Sequence, residues 1–342
     1  MQRAIYGAED DAGIEPAWRA TLENLHDARV VVLGVPSDTG AGFVRGANQA
    51  PAALRQHLLH ERTHALHAAG VVDVGDVRVV PHLLSDDMLN ADQVARARGA
   101  LYRDPGRALP VAPLDQCTRV LEHLSALAPA AVPVVLGGDH SVGWPAFAAA
   151  HARAQARGLR LGLLHFDAHT DLLPERLGVR ICFATWAYHA NELLGRDGRL
   201  VQVGIRASAR DRAHWEDTLN VRQYWPDELE RRDLPEVVAE IVARFEGLGV
   251  DEVYVSNDID GTDPAFAAAT GTPEPGGLAP DEVSALVRGV LARFPLAGGD
   301  LVEVAPPLAH EDPAEPARTL HTAGRYIGDL VRAALERPSA GP

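Results

Sequence analysis

Seven short, almost uninterrupted runs of apolar and β-branched residues recur along the chain, and they constrain its fold more than any other feature. They cover residues 30–35, 71–74, 132–136, 161–166, 200–205, 252–256 and 301–304. Runs this apolar suit strands buried on both faces, as in a parallel sheet. Helical patterns lie between them. Residues 235–245 place Val238, Ile241, Val242 and Phe245 on one face and stop before Gly247 and Gly249, residues suited to end a helix. Residues 281–294 carry Val283, Leu286, Val287, Val290 and Leu291 at helical spacing, with Pro295 after the end. Strands alternating with helices predict an α/β fold with a mainly parallel central sheet covered on both sides.

No Gly/Ser linker interrupts the chain after residue 28. One domain is therefore expected over residues 29–336, with 1–28 as an N-terminal extension and 337–342 as a tail. The Pro- and Asp-rich stretch 81–113 reads as an addition to that core. A formal net charge of -15 is opposite in sign to the surface that nucleic-acid binding requires. Two cysteines, Cys117 and Cys182, make no disulfide framework and point to a reducing, cytoplasmic compartment. The first 27 residues lack the apolar core of a secretion signal. No stretch approaches the ~20 apolar residues of a membrane span.

In open α/β sheets ligands sit beyond the carboxyl ends of the strands, and three polar clusters follow strand runs directly. Gly137-Gly138-Asp139-His140-Ser141 follows 132–136. Its glycines allow a tight turn, but by itself the cluster reads equally well as a turn with a structural histidine. Asp167-Ala168-His169-Thr170-Asp171 follows 161–166. Alternate residues of extended backbone point the same way, so Asp167, His169 and Asp171 converge. A solvated acidic loop is the competing reading, disfavoured because the run abuts an apolar strand, where unpaired charge is costly. The third cluster, Ser256–Pro264, sets Asp258 and Asp260 on one face. It lacks the later bidentate glutamate of a calcium loop and follows a strand, not a helix.

Among their residues, two histidines, His140 and His169, and four aspartates, Asp167, Asp171, Asp258 and Asp260, stand at adjacent strand ends. So many carboxylates repel one another unless cations neutralise them. Hard oxygen donors beside imidazole suit manganese or a similar divalent ion. Two ions sharing bridging carboxylates would bring the pKa of a bridging water toward neutrality, which makes hydrolysis the natural chemistry.

In these residues the chain resembles the ureohydrolase family of arginase, agmatinase and guanidinobutyrase. The matching motifs are GGDHS at 137–141, DAHTD at 167–171 and SNDIDGTDP at 256–264. Ala269–Pro273, Gly276-Gly277-Leu278 and Val302-Glu303-Val304 fit as well, as do the early segments 34–40 and 45–47. The resemblance implies an arginase-like three-layer α/β/α sandwich, assembled as a homo-oligomer, trimer or hexamer. It implies two Mn2+ per chain, Ni2+ being the alternative. His140, Asp167, Asp171 and Asp258 would hold one ion, and Asp167, His169, Asp258 and Asp260 the other. Glu303 matches the residue that pairs with a substrate guanidinium, and Asp171 the one that passes a proton to the departing amine. A metal-bridging hydroxide would attack the guanidinium carbon and release urea and an amine. Asp263 is expected to fix its loop and not to act as a ligand.

The pattern breaks at one place. The family carries a His-Gly pair after DAHTD, whereas this chain reads Arg180-Ile-Cys-Phe-Ala-Thr-Trp186, and Cys182 is aligned with that histidine. Cys182 is then a buried apolar residue, or a pocket thiol with a catalytic part, or His189 or another polar group takes over the relay. The loop 172–179 has no Asn or Ser to hold an α-amino acid head group. Arg176 or Arg180 would suit a substrate carboxylate, and Glu175 an amine tail, so agmatine and guanidino acids rank above arginine. Phe183, Trp186 and Tyr188 are candidates to narrow the pocket. A formimino-group hydrolase of the same fold and a non-catalytic subunit of a heteromer are the competing readings. His60, His64 and His67 fall on a helix face and not in a metal site.

Overall fold

The computed structural model describes residues 1–60 and 65–336; the tail 337–342 and His64 lie outside the described residues. Eight strands form one sheet: β1 (Val30–Gly34), β2 (Val71–Asp76), β3 (Val132–Leu136), β4 (Leu161–Phe166), β5 (Leu200–Val203), β6 (Arg222–Tyr224), β7 (Glu252–Asp258) and β8 (Leu296–Val302). Their order is β2-β1-β3-β8-β7-β4-β5-β6, and every pairing between them is parallel.

Alternation along β1 shows how the layers are made. Val30 and Val32 join one buried cluster with the helices Ala50–His60, Leu234–Gly247, Pro280–Leu291 and Glu315–Glu336. Val31 and Leu33 join a second cluster with the helices Pro113–Leu127, Gly143–Ala156 and Trp186–Leu193. Successive side chains of a strand point to opposite faces, so a run apolar at every position requires a helix layer on each side. The result is a three-layer α/β/α sandwich. Helix Leu234–Gly247 buries Val237, Ile241 and Phe245, which rotates its inner face by about one residue from the expected one. His60 ends the helix Ala50–His60, and His67 follows in a turn.

Two strands depart from expectation for identifiable reasons. β8 begins at Leu296, five residues before the expected start, because Gly298 and Gly299 disguise it. A Cβ on Gly299 would lie 2.8 Å from the Val255 carbonyl oxygen, so close packing on β7 selects glycine where a strand reading looks for Val or Ile. β6 is three residues long and contains Arg222 and Gln223, too short and too polar to register as a run. The two N-terminal helices Gln2–Tyr6 and Ile14–Glu23 approach the edge strand β2, where the Trp18 indole N–H donates to the Val74 carbonyl at 3.0 Å. That side chain covers part of an edge that would otherwise present unpaired backbone groups.

Candidate metal centre

Strands β3, β8, β7 and β4 are consecutive at the middle of the sheet, and neighbouring strands run ~4.8 Å apart. Their carboxyl ends therefore bring His140, Glu303, Asp258 and Asp167 into one patch. The turn after β3 is possible because Gly138 has no side chain: a Cβ there would lie 1.8 Å from the Ser37 carbonyl oxygen.

Around His140 Nδ1 stand Asp258 Oδ2 at 3.0 Å, Asp171 Oδ2 at 3.2 Å and Asp167 Oδ2 at 3.3 Å. Around His169 Nδ1 stand Asp260 Oδ2 at 3.1 Å and Asp167 Oδ1 at 3.4 Å. Asp167 thus divides its two oxygens between the two histidines. Asp258 sits with the first group, while its Oδ1 accepts the Asp260 N–H at 3.0 Å. All six expected residues are gathered.

The donor set fits divalent cations. His140 Nδ1 is fully buried, yet it makes no hydrogen bond despite three carboxylate oxygens close by. Its orientation is set through its other nitrogen. Ser256 gives its only hydroxyl hydrogen to Asp300 Oδ1 at 2.7 Å, so its oxygen accepts from His140 Nε2 at 3.0 Å. With Nε2 held by Ser256, Nδ1 is the nitrogen turned toward the carboxylates, the orientation of a metal-binding imidazole with its outer nitrogen held. Without cations, burial opposes charging His140, but Asp167, Asp171 and Asp258 push it well above its usual range. A histidine that only supports the turn would not leave a buried nitrogen unsatisfied. Without cations the cluster is electrostatically strained. Burial and the neighbouring Asp260 and Asp167 push the Asp258 carboxyl well above the usual range. Burial also opposes ionisation of Asp167, but the surrounding imidazoles of His140, His165 and His169 hold it well below.

Sequence reasoning missed His165. It lies in β4, two residues before Asp167, so the alternation of Asp167, His169 and Asp171 extends back into the strand. Its Nε2 donates to Asp167 Oδ2 at 2.9 Å and its Nδ1 meets Gln202 Nε2 at 3.0 Å. The polarity of this chain is set far away. The Trp225 indole, which can only donate, bonds Gln223 Oε1 at 3.0 Å, and Gln223 Nε2 donates to Gln202 Oε1 at 2.8 Å. Gln202 Nε2 must then donate to His165, which leaves the His165 proton on Nε2, facing Asp167. Both ring nitrogens are engaged, so His165 orients the carboxylate and is not itself a ligand. The Trp186 indole N–H does the same for Asp171, donating to Oδ2 at 2.9 Å.

Asp171 and Glu303 both have left-handed backbones, with φ of 53° and 59°. Non-glycine residues held there carry strain, and such residues concentrate at functional sites. The Glu303 carboxylate accepts the His140 backbone N–H on Oε1 at 2.8 Å and lines a cavity of about 270 Å³ together with His140, His169, Asp171, Asp258 and Asp260. Asp263 spends both oxygens on the backbone N–H groups of Ala265, Gly276 and Gly277, a loop-fixing acid.

The expected place of Cys182 needs correction. Phe183, not Cys182, lines the cavity with the cluster residues. The Phe183 N–H donates to the Gly40 carbonyl at 3.0 Å, and Cys182 faces a neighbouring pocket with Leu84, Leu177 and Val179. Burial pushes the Cys182 thiol up, against thiolate formation. Cys182→Ala removes no group from this cavity and is accordingly expected to keep kcat/KM within about threefold, well under about 1 kcal/mol of barrier; steady-state turnover measures it. His189 is not a relay either, since its Nε2 lies 3.0 Å from the carbonyl oxygens of both Pro174 and Arg180. Arg176 lines the cavity, whereas Glu175, Arg180 and Tyr188 do not.

A parallel sheet sandwiched by helices, with paired carboxylate–imidazole groups at its central strand ends, defines an α/β protein able to bind metal ions. The arginase family model matches residues 28–331. A mitochondrial agmatinase of Gallus gallus is 33% identical over 287 residues, 80% of this chain and 73% of that protein. A guanidinobutyrase of Pseudomonas aeruginosa is 31% identical over 287 residues, 80% and 78% of the two. The solved structure of proclavaminate amidino hydrolase from Streptomyces clavuligerus superposes with a TM-score of 0.69 at 28% identity, covering 89% of this chain and 91% of that one. The chain belongs to the arginase family. Among the described residues no helix is long and apolar enough to cross a membrane.

Proposed function

We propose that this chain hydrolyses an amidino C–N bond of a linear guanidino compound, agmatine or a guanidino acid, consuming water and releasing urea and an amine. The similar proteins include an agmatinase and a guanidinobutyrase, which supports that substrate class. The observation that carries the reading is the pair of imidazole–carboxylate groups sharing Asp167, with His140 Nδ1 buried and unsatisfied. His140, Asp167, Asp171 and Asp258 would hold one divalent ion, and Asp167, His169, Asp258 and Asp260 a second. Manganese is the first choice and nickel the alternative. Two ions bound there supply hydroxide at neutral pH and offset the carboxylate charge.

The chain's own residues do the rest. The free Glu303 oxygen pairs with the substrate guanidinium, a charge-assisted contact. Asp171, fixed by the Trp186 N–H, holds a proton within the site for the departing amine. The Phe183 ring forms an apolar wall beside the substrate chain, which keeps water from the aliphatic part. The active form is a cytoplasmic homo-oligomer, a trimer or hexamer, of a domain spanning 29–336. The test loads purified protein with Mn2+ or Ni2+, counts metal by mass spectrometry and assays urea across guanidino compounds. Two ions per chain with urea release is the expected result. Two ions with silence across the panel would overturn guanidino hydrolysis and favour a metal-stabilised scaffold or a formimino-group hydrolase, and no bound metal would end the hydrolytic reading.

A further inference from the structure

We propose that Arg176 reads a carboxylate at the far end of the substrate, so that linear ω-guanidino acids are preferred to guanidino amines. The inference rests on the guanidino-hydrolase reading above and selects among its substrates. Arg176 lines the same cavity as Glu303 and the strand-end cluster. A substrate whose guanidinium meets Glu303 therefore sends its tail along a wall that carries a cation.

The guanidinium of Arg176 is both placed and available. Its backbone closes a tight hairpin: Arg176 N–H donates to the Val179 carbonyl at 3.0 Å and Val179 N–H returns the bond at 2.9 Å. Leu177 and Gly178 between them both have left-handed φ, 52° and 77°, as a two-residue hairpin turn requires. The side chain lies over the Phe183 ring, Cζ 5.2 Å from its centroid. A cation–π contact of this kind uses none of the guanidinium's N–H donors on an acceptor oxygen and leaves them for a carboxylate.

Neighbouring cations are already committed. Arg45 donates to the Asp38 carbonyl at 2.6 Å and lies 3.7 Å from that carboxylate. Arg180 lies 3.9 Å from Asp87 and over the Trp144 ring at 5.8 Å. Arg176 has no carboxylate partner among the described residues, in a protein whose net charge is -15. Every acid lining the cavity, Asp171, Asp258, Asp260 and Glu303, belongs to the strand-end patch. Glu175, exposed like Arg176, stands outside the lining, and Glu274 turns toward His169 Nε2 at 3.9 Å. An ammonium tail such as that of agmatine thus finds no acid beside Arg176 and meets a like charge, whereas a carboxylate gains a bidentate partner.

The experiment compares kcat/KM for urea release from 4-guanidinobutyrate, agmatine and butylguanidine, whose tails are anionic, cationic and neutral. In the metal-loaded wild type the acid is expected to lead and agmatine to trail. Arg176→Gln should lower the acid-to-butylguanidine ratio about 10- to 100-fold, the range for losing one charged hydrogen-bond partner, chiefly through KM. Arg176→Glu should bring agmatine ahead of the acid, and Arg176→Lys should restore part of the acid preference. An unchanged ratio in Arg176→Gln, or a wild type that favours agmatine, overturns the inference while leaving guanidino hydrolysis intact. No urea from any of the three compounds overturns both.

Discussion

An Asp167→Asn protein is expected to lose on the order of 10³ in kcat/KM, because cation charge stabilisation is worth several kcal/mol and each 1.36 kcal/mol is tenfold. It should also bind at most one divalent ion per chain. Asp167 is the group that faces both His140 and His169, so an amide there removes a donor oxygen common to both positions. Neither orientation of the amide is tolerated. The His169 backbone N–H donates to Oδ1 at 2.6 Å and His165 Nε2 donates to Oδ2 at 2.9 Å. An NH2 group at either place sets donor against donor, and leaving such a buried group unmade costs about 1–3 kcal/mol. Metal counts by mass spectrometry and melting curves with and without Mn2+ separate the effects. Ligand binding raises the melting temperature of the wild type through linkage, and that rise should shrink in the variant. Two tightly held ions and wild-type turnover in Asp167→Asn would remove the basis for a shared carboxylate.

The same geometry explains which parts of this protein were legible before its structure. Strands β1, β3 and β4 declared themselves because nearly every position is apolar, a pattern that two helix layers demand. The alternation of Asp167, His169 and Asp171 was legible for a similarly local reason, since period two follows from extended backbone. His165 belongs to that alternation, but inside an apolar run a single histidine reads as part of the strand. Its significance depends on Gln202 in β5 and Gln223 in β6, which are distant in sequence and neighbours only in the sheet. Gln223 is fully buried, against the usual habit of glutamine, because both ends of its amide are satisfied. Composition cannot show that satisfaction. The exchange of Cys182 for Phe183 has another cause. Loop 172–185 has no repeat to set its register, so a one-residue error costs nothing in pattern and moves a thiol into the place of a phenyl ring. Specificity is illegible for a related reason: whether Arg176 is a solvated charge or a substrate contact depends on a hairpin turn and a ring beneath it.

Glu303→Gln should separate substrate recognition from metal binding. The amide keeps the length of the side chain and an oxygen to accept the His140 N–H, which Glu303 Oε1 now receives at 2.8 Å. The turn after β3 should therefore stay in place, with two ions per chain and an unchanged melting temperature. What disappears is the negative charge facing the substrate. Truncating one partner of a buried, hydrogen-bonded charge pair costs about 2–5 kcal/mol, or roughly 30-fold to several thousandfold in kcat/KM. The loss should fall on every guanidino substrate alike, acid, amine or neutral, because the head group is common to all. That uniformity distinguishes Glu303 from Arg176, whose replacement should reorder the substrates. A backbone held at φ 59° is a costly way to present a carboxylate that has no work to do, and full activity in Glu303→Gln would require another reason for that strain.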